Sequence, residues 1–403
     1  MQITLIAGAR PNFMKVAPII KAIKAAEAAG KDMHYRLVHT GQHYEKNMSD
    51  TFFEELGIPA PDVNLGCGGS TQAEQTAAIM VAFEKELMAH PTDVVLVVGD
   101  VTSTMACSIV AKKLNTKVCH VEAGIRSWDL TMPEEINRMV MDSLADYMFT
   151  TSEVANRNLV RLGASLQLPP RGRREKNLSL QGRVGLGPKV WFVGNVMIDT
   201  LMANRARFRK PQVWDELGLK DKEYIVMTMH RPGNVDEETH LKAMMEQIIT
   251  NVHGLPIIFP IHPRTALRLR ELLNERSQTS SMSATESLND ANKWANLHIV
   301  EPMGYLEFNY LVERAKTVVT DSGGITEETT VMGVPCITLR DNTERPETCT
   351  VGTNELIGTD PKAIKPALDK LFAGEWKKGA IPELWDGHTA ERIVKILADL
   401  GDK

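Results

Sequence analysis

The stretch Asp93-Val94-Val95-Leu96-Val97-Val98-Gly99-Asp100 carries a continuous aliphatic run that ends in Gly-Asp. Such a run suits a strand that is buried on both faces, as at the centre of a parallel sheet. The Gly-Asp pair then marks the carboxyl end of that strand. The stretch therefore predicts an α/β domain with helices on both faces of its sheet.

Apolar runs alternate with segments of helical period on both sides of this strand. Further strands are predicted at Gln2–Ala7, Arg36–His39, Lys117–Val121 and Tyr147–Thr150. Helices are predicted at 14–29, about 103–113 and about 134–145. This alternation is typical of a doubly wound, Rossmann-like domain.

The same pattern restarts after residue 190. The strands predicted there are Val190–Val193, Tyr224–Met229, Pro256–Ile261, Leu297–Val300, Thr317–Thr320 and Cys336–Thr338. We therefore expect two α/β domains, at 1–195 and 196–385. The remaining segment, 386–403, is amphipathic and predicts a helix that can pack back on either domain, with the N-terminal domain as the candidate.

Length and composition exclude several classes of protein. A chain of 403 residues suits two domains, and a net charge of −5 disfavours a general nucleic-acid-binding protein. No apolar run approaches the ~18 residues of a membrane span, and the N-terminus lacks the pattern of a secretory leader. The cysteines are odd in number and scattered, which favours reduced thiols in the cytoplasm. They are Cys67, Cys107, Cys119, Cys336 and Cys349.

Two segments interrupt the α/β pattern. Residues 166–188 are rich in Gly and basic residues, and residues 277–288 are rich in Ser and Thr. The first suits a loosely held surface insertion better than an anion-binding lid, and the second suits a solvent loop.

Two strand-to-helix turns have the composition of an anion site. Gly8–Lys15 combines a glycine, a proline suited to a first helical turn, and the cations Arg10 and Lys15. Asp321–Glu328 places Ser322, Gly323 and Gly324 before a helix, where backbone N–H groups face a bound anion. A tight turn with solvent cations would explain the first equally well, and an ordinary capped helix start would explain the second.

Acids and histidines also follow predicted strands. Asp100 and Glu122 lie at the ends of two strands, and the pair Glu134-Glu135 opens a helix. Acids at the carboxyl ends of parallel strands lie where α/β proteins bind ligands, although helix capping explains them equally well. His230 with Arg231 follows a strand in the second half and suits a phosphate.

Seven ordered motifs then carry a family resemblance. They are Gly-Ala-Arg-Pro (8–11), His-Thr-Gly-Gln-His (39–43), Gly-Asp-Val-Thr-Ser-Thr (99–104), His-Val-Glu-Ala-Gly-Ile-Arg-Ser (120–127), Met-Pro-Glu-Glu-Ile-Asn-Arg (132–138), Asp-Ser-Gly-Gly-Ile-Thr-Glu-Glu (321–328) and Arg-Asp-Asn-Thr-Glu-Arg-Pro-Glu (340–347). Together they resemble the non-hydrolysing UDP-N-acetylglucosamine 2-epimerases. The match covers the chain except 166–188 and 277–288.

The resemblance implies a glycosyltransferase-B-like fold with two Rossmann-like domains facing a central cleft. It implies interconversion of UDP-GlcNAc and UDP-ManNAc for surface polysaccharide precursors, by elimination of UDP to 2-acetamidoglucal and re-addition. No metal and no cofactor is required, and a cytoplasmic homodimer that binds neither nucleic acid nor membrane is expected.

The resemblance also assigns residues. The catalytic set is Lys15, Asp100, Glu122 and Glu135, with His230 assisting the departure of UDP. The residues that contact the substrate are Arg10, His43, Phe308, Ser322, Gly323, Gly324, Glu328 and Arg345.

Departures from the family pattern leave more than one function open. Ala9 stands where many members have Thr, and Gly233 stands where Glu is usual in a region linked to a regulatory UDP-GlcNAc site. Some relatives epimerise UDP-2,3-diacetamido-glucuronate, whose acidic sugar requires an extra cation. Arg126 is a candidate for that cation, although a structural role in its loop explains Arg126 equally well. The motifs are also compatible with a hydrolysing epimerase that releases ManNAc and UDP, with a glycosyltransferase and with a non-catalytic regulator that binds nucleotide sugars.

Overall fold

The computed structural model describes residues 1–41, 55–69, 71–161, 165–166, 189–261, 263–272, 288 and 294–401. His43, residues 167–188, residues 277–287 and the side chain of Arg10 lie outside the described residues. Two compact units make up the chain. The first comprises Met1–Ala203 and Glu383–Lys403, and the second comprises Asn204–Pro382.

Within the described residues, the first unit contains an eight-stranded sheet of order β3-β2-β1-β4-β5-β6-β8-β7. Every strand pairing described in it is parallel. The strands are β1 (Gln2–Ala7), β2 (His34–His39), β3 (Val63–Asn64), β4 (Val94–Val98), β5 (Lys117–Val121), β6 (Tyr147–Thr150), β7 (Ser165–Leu166) and β8 (Lys189–Phe192). The aliphatic run is β4, it is buried throughout, and it lies inside the sheet as predicted.

The helices of the first unit supply the apolar layers over this sheet. They are α1 (Arg10–Ala28), α2 (Gln72–Ala89), α3 (Thr102–Lys113), α4 (Pro133–Leu144), α5 (Glu153–Arg161), α6 (Val196–Asn204) and, from the chain end, α15 (Thr389–Gly401). Helix α1 begins at Arg10, earlier than predicted, because Pro11 suits a first turn. Ile19 and Ile23 of α1 share one buried cluster with Ile393 and Leu397 of α15.

Within the described residues, the second unit contains a six-stranded sheet of order β11-β10-β9-β12-β13-β14, again with parallel pairings. Its strands are β9 (Ile225–Thr228), β10 (Ile257–Pro260), β11 (Leu297–Val300), β12 (Thr317–Thr320), β13 (Cys336–Thr338) and β14 (Asn354–Leu356). Its helices are α7 (Gln212–Glu216), α8 (Pro232–Val235), α9 (Glu238–Asn251), α10 (Pro263–Leu272), α11 (Tyr305–Arg314), α12 (Gly323–Met332), α13 (Pro346–Thr350) and α14 (Ile364–Phe372). Short 3₁₀ helices lie at Arg205–Arg207 and Pro361–Ala363.

The units differ in two details from the predicted organisation. The first unit runs to Ala203 rather than to residue 195, because α6 packs within it. Strands β3, β7 and β14 have no counterpart among the predicted strands, and each is only two or three residues long. Strand β8, which lies within the range 1–195, pairs with β6 in the first sheet. Among the described residues, no helix combines the length and apolar character needed to cross a membrane.

Candidate active site

Each sheet has a central point where the strand order reverses. In the first unit the order reverses between β1 and β4, and in the second between β9 and β12. Ligands of doubly wound proteins bind outside the carboxyl ends of the strands at such points. Most of the predicted site residues follow these strands or their neighbours.

Lys15 and Glu122 form an ion pair at the carboxyl edge of the first sheet. The distance from Lys15 Nζ to Glu122 Oε2 is 2.6 Å, and the two side chains are 12% and 2% exposed. Glu122 has a φ of 72°, a conformation that costs a non-glycine residue free energy and is concentrated at functional sites. The N–H groups of Glu122 and Ala123 both donate to Phe149 O at 3.0 Å, which holds this turn. A carboxylate beside an ammonium group can accept and return a proton.

Asp100 follows β4 and is held by helix α4. Arg138 Nε and NH2 donate to Asp100 Oδ2 at 2.9 and 2.6 Å, and Asn137 Nδ2 donates to Asp100 O at 2.8 Å. The Asp100 side chain is 29% exposed, so it can still meet a ligand. Arg138 was not among the predicted site residues.

Glu135, a predicted catalytic acid, is fully buried among hydrogen-bond donors. Its side chain has no exposed surface, and Oε2 accepts from Arg138 NH1 at 2.6 Å and from Ser127 N at 3.0 Å. Oε1 accepts from Trp128 N at 3.2 Å. The geometry makes Glu135 an internal support, whereas the preceding Glu134 is partly exposed.

Arg126 is also placed inside the first unit. Arg126 NH1 lies 2.7 Å from Asp142 Oδ2, and both side chains are essentially buried. His120 Nδ1 lies 2.7 Å from Asp142 Oδ1, while its Nε2 lies 3.0 Å from Gly99 O. Burial alone would raise the pKa of Asp142, but His120 and Arg126 outweigh it and lower that pKa. Arg126 therefore serves this buried network, and the prediction that it binds a substrate carboxylate is not supported by its placement.

The side chain of Asn12 closes the turn after β1. The N–H groups of Gly8 and Ala9 donate to Asn12 Oδ1 at 3.2 and 3.0 Å, and Asn12 Nδ2 donates to Val98 O at 2.9 Å. These amides are therefore engaged within the protein. Asn12 ties the end of β1 to the end of β4, which brings the two loops of the strand-order reversal together.

In the second unit, Asp321 organises the corresponding edge. It is fully buried, and its carboxylate accepts from the N–H groups of His230 and Arg231 and from Asn234 Nδ2. Asp321 Oδ1 also lies 2.9 Å from His230 Nδ1, which orients a ring that is 42% exposed. Burial would raise the pKa of Asp321, but the His230 contact and these amides lower it.

The start of α12 follows Asp321 directly. Ser322 N donates to Thr320 Oγ1 at 3.0 Å, and the Ser322 side chain does not cap the helix. A side chain at Gly323 would lie 2.8 Å from Glu344 Oε1, whereas Gly324 faces open space. Backbone N–H groups in the first turn of α12 are therefore available for an anion.

Two acids on α12 lie beneath this turn. Glu328 Oε1 accepts from Tyr305 OH at 2.8 Å, and burial raises the pKa of Glu328 to about 7. Arg345 Nε donates to Glu327 Oε1, and both of these side chains are mostly buried. Phe308 is partly buried and packs on the apolar cluster of the second unit. Glu328 thus lies on α12 itself, and Phe308 and Arg345 lie on elements that contact α12.

The sequence interpretation missed Arg138 and Asp142 and named Glu135 only as a catalytic acid, although the three residues share a recognisable signal. Glu135, Arg138 and Asp142 are spaced by three and four residues, so they share one face of α4, and that face is buried. A helix that buries charged side chains must pair them inside the protein. Charges at helical spacing between apolar positions were therefore a readable sign of an internal network.

Comparisons with known proteins agree over nearly the whole chain. The family model described as UDP-N-acetylglucosamine 2-epimerase matches residues 25–398. A UDP-N-acetylglucosamine 2-epimerase of Methanocaldococcus jannaschii is 38% identical over 404 residues, which cover 98% of this chain and 99% of that protein. A UDP-2,3-diacetamido-2,3-dideoxy-D-glucuronate 2-epimerase of Pseudomonas aeruginosa is 34% identical, with 99% and 100% covered. The crystal structure of the M. jannaschii enzyme in complex with UDP-GlcNAc and UDP matches with a TM-score of 0.79 at 36% identity, covering 99% of this chain and 100% of that one.

Proposed function

Since the chain belongs to the UDP-N-acetylglucosamine 2-epimerase family, we propose that it interconverts UDP-GlcNAc and UDP-ManNAc by inverting carbon 2. The observation that carries this proposal is a pair of acids at the carboxyl edge of the first sheet, which we call the acid edge. Asp100 and Glu122 follow the neighbouring strands β4 and β5, and each lies against a cation, Arg138 and Lys15 respectively. Proton transfer on both faces of a sugar ring requires two such acids.

The chemistry explains why acids and an anion site occur in one chain. The hydrogen on carbon 2 has no adjacent carbonyl, so simple deprotonation is hard. A carboxylate instead removes that proton while the bond between carbon 1 and the UDP oxygen breaks, which gives 2-acetamidoglucal and UDP. Return of a proton to the opposite face of carbon 2, with re-addition of UDP at carbon 1, gives the epimer.

Roles follow from the geometry of each unit. In the first unit we assign proton transfer to Asp100 and to Glu122 with Lys15, and we assign the partly exposed Glu134 in place of the buried Glu135.

In the second unit we assign the departing diphosphate to His230 and the start of α12 at Ser322–Gly324, with the substrate contacts predicted for Phe308, Glu328 and Arg345. Preorganised donors of this kind are each worth about 3–4 kcal/mol in the transition state. The predicted contacts of Arg10 and His43 remain part of the proposal.

The test is incubation of the protein with UDP-GlcNAc alone in D2O, followed by proton NMR. We expect UDP-ManNAc to form with deuterium at carbon 2 and with the diphosphate link intact. Accumulation of free ManNAc and UDP would instead identify a hydrolysing epimerase. Absence of any turnover without an acceptor would favour a glycosyltransferase or a binding protein.

UDP-2,3-diacetamido-glucuronate is the second candidate substrate, because a relative of that name is 34% identical over the full length. The burial of Arg126 against Asp142 weighs against it, since no other cation was predicted for its carboxylate. Comparison of kcat/KM for the two UDP-sugars decides between them.

We also propose a cytoplasmic homodimer. All five cysteines are free and four are buried, which suits a reducing compartment. Four large apolar side chains on α4 and the loop before it are exposed, namely Trp128, Leu130, Ile136 and Met139. A patch of this kind on a globular protein is typical of a surface that another chain covers.

A further inference from the structure

Helix α4 presents charge to the protein interior, on the face where a helix of this kind normally carries apolar side chains. Glu135, Arg138 and Asp142 are all buried on that face. Asp142 serves the His120 and Arg126 network, and Arg138 bonds Asp100 in the loop after β4. Glu135 bonds Ser127 and Trp128 in the loop after β5. The buried face of α4 therefore contacts both loops that carry the acids of the first unit.

Arg138 links Asp100, which is partly exposed, to Glu135, which is buried. Its Nε and NH2 donate to Asp100 Oδ2 at 2.9 and 2.6 Å, and its NH1 donates to Glu135 Oε2 at 2.6 Å. The Arg138 side chain is only 3% exposed, so it cannot itself contact a ligand. Its planar fork fixes the direction of both carboxylates, which a single ammonium group cannot do.

Glu135 connects Arg138 to the loop after β5. Besides Arg138, it accepts from the N–H groups of Ser127 and Trp128. Trp128 has a φ of 61°, so the loop takes a conformation that a non-glycine residue adopts only when its surroundings impose it. The Glu135 carboxylate thus holds the loop at Ser127 and Trp128 and also binds the guanidinium of Arg138.

We propose that Arg138 is a positioning residue for the epimerase reaction, acting through Asp100, with Glu135 as its buried counter-anion. The inference rests on the proposed function. Arg138 holds the Asp100 carboxylate at a fixed angle, so that the carboxylate meets the substrate without first reorganising. It makes no contact with UDP.

The test compares Arg138→Lys with Arg36→Lys. Arg36 Nε lies 2.6 Å from Glu86 Oε1 in the same unit, so the control loses a similar ion pair away from the acid edge. We expect Arg138→Lys to lower kcat with UDP-GlcNAc about 100-fold, as small displacements of reacting groups do, while calorimetry shows a UDP affinity within about twofold of wild type. Arg36→Lys should change neither quantity.

A double-mutant cycle separates positioning from general loss of structure. If Arg138 acts through Asp100, the Arg138→Lys/Asp100→Asn protein is no slower than Asp100→Asn alone in long single-turnover incubations. Crystal structures of the two lysine variants give a readout without activity. Asp100 should turn away in Arg138→Lys and keep its place in Arg36→Lys.

Three results would overturn the inference: a kcat for Arg138→Lys within about twofold of the control, losses that multiply in the double variant, or an Asp100 carboxylate that does not move. A wild-type protein that fails to convert UDP-GlcNAc would instead remove the proposed function. The crystallographic comparison would then still decide whether Arg138 positions Asp100.

Discussion

Glu328 combines a buried carboxylate with a pKa near neutrality. Burial is the main cause of the raised pKa, the neighbouring Glu327 adds to it, and the Tyr305 hydroxyl opposes it. The folded protein therefore holds the proton of Glu328 over a pH range in which the unfolded chain has lost it. A UDP ligand that approaches this side chain meets a carboxyl group whose charge depends on the pH.

The pH dependence of stability tests this residue. The pKa of Glu328 rises from 4.5 to about 7 on folding, so the stability it contributes is present below pH 4.5 and is lost as the pH rises to 7. A shift of this size corresponds to about 3 kcal/mol. We expect Glu328→Gln to remove this decrease in the free energy of unfolding, which urea unfolding at pH 5 and pH 8 measures. If the free energy of unfolding changed with pH equally in wild type and variant, Glu328 would titrate normally.

At the scale of elements, the start of α3 approaches the turn after β1 very closely. Ser103 of α3 and Thr40 share a hydrogen bond of 2.6 Å directly beside Gly8. A Cβ atom added at Gly8 would lie 2.1 Å from Ser103 Oγ and 2.9 Å from Thr40 Oγ1. Only glycine allows β1, β2 and α3 to meet at this edge.

Gly8→Ala should therefore move one of these elements. We expect a loss of about 1–3 kcal/mol in the free energy of unfolding, as overpacking costs, together with a lower kcat because Asp100 precedes α3. Gly68→Ala is the matched control, since a Cβ atom there meets no atom within 4 Å. Thermal unfolding of both variants is the measurement, and equal melting temperatures would contradict the argument.

At the scale of the whole molecule, the exposed apolar side chains of α4 predict the oligomeric state. Ile136 and Met139 are 50% and 44% exposed, and they lie on α4 beside the face that buries its charges. The same helix would then support the acids of the first unit with its buried side chains and contact a second chain with its exposed ones.

Sedimentation of Ile136→Glu tests the dimer. We expect wild type to sediment as a dimer and Ile136→Glu as a monomer, because a buried unpaired carboxylate is costly. Ile381→Glu is the control, since Ile381 is 54% exposed in the second unit. A wild-type monomer, or a dimer that survives in Ile136→Glu, would remove this surface from the proposal.

The sequence alone determined the two parallel α/β units, because strands buried on both faces and turns that open helices are local patterns. It also pointed to the strand-end residues Asp100, Glu122, His230 and Ser322. The family resemblance named Glu135 rather than Glu134 as a catalytic acid, and the sequence could not separate a ligand-binding Arg126 from a structural one.

Only the tertiary structure shows which side chains Glu135 and Arg126 contact. Other partners in the two units are distant in the chain. Arg138 and Asp100 are 38 residues apart, and the Asp321 carboxylate and the His230 amide are 91 residues apart. The placement of α15 on α1 likewise depends on packing between the two ends of the first unit. A side chain's type is local, but whether it meets a substrate or another side chain depends on what the fold places against it.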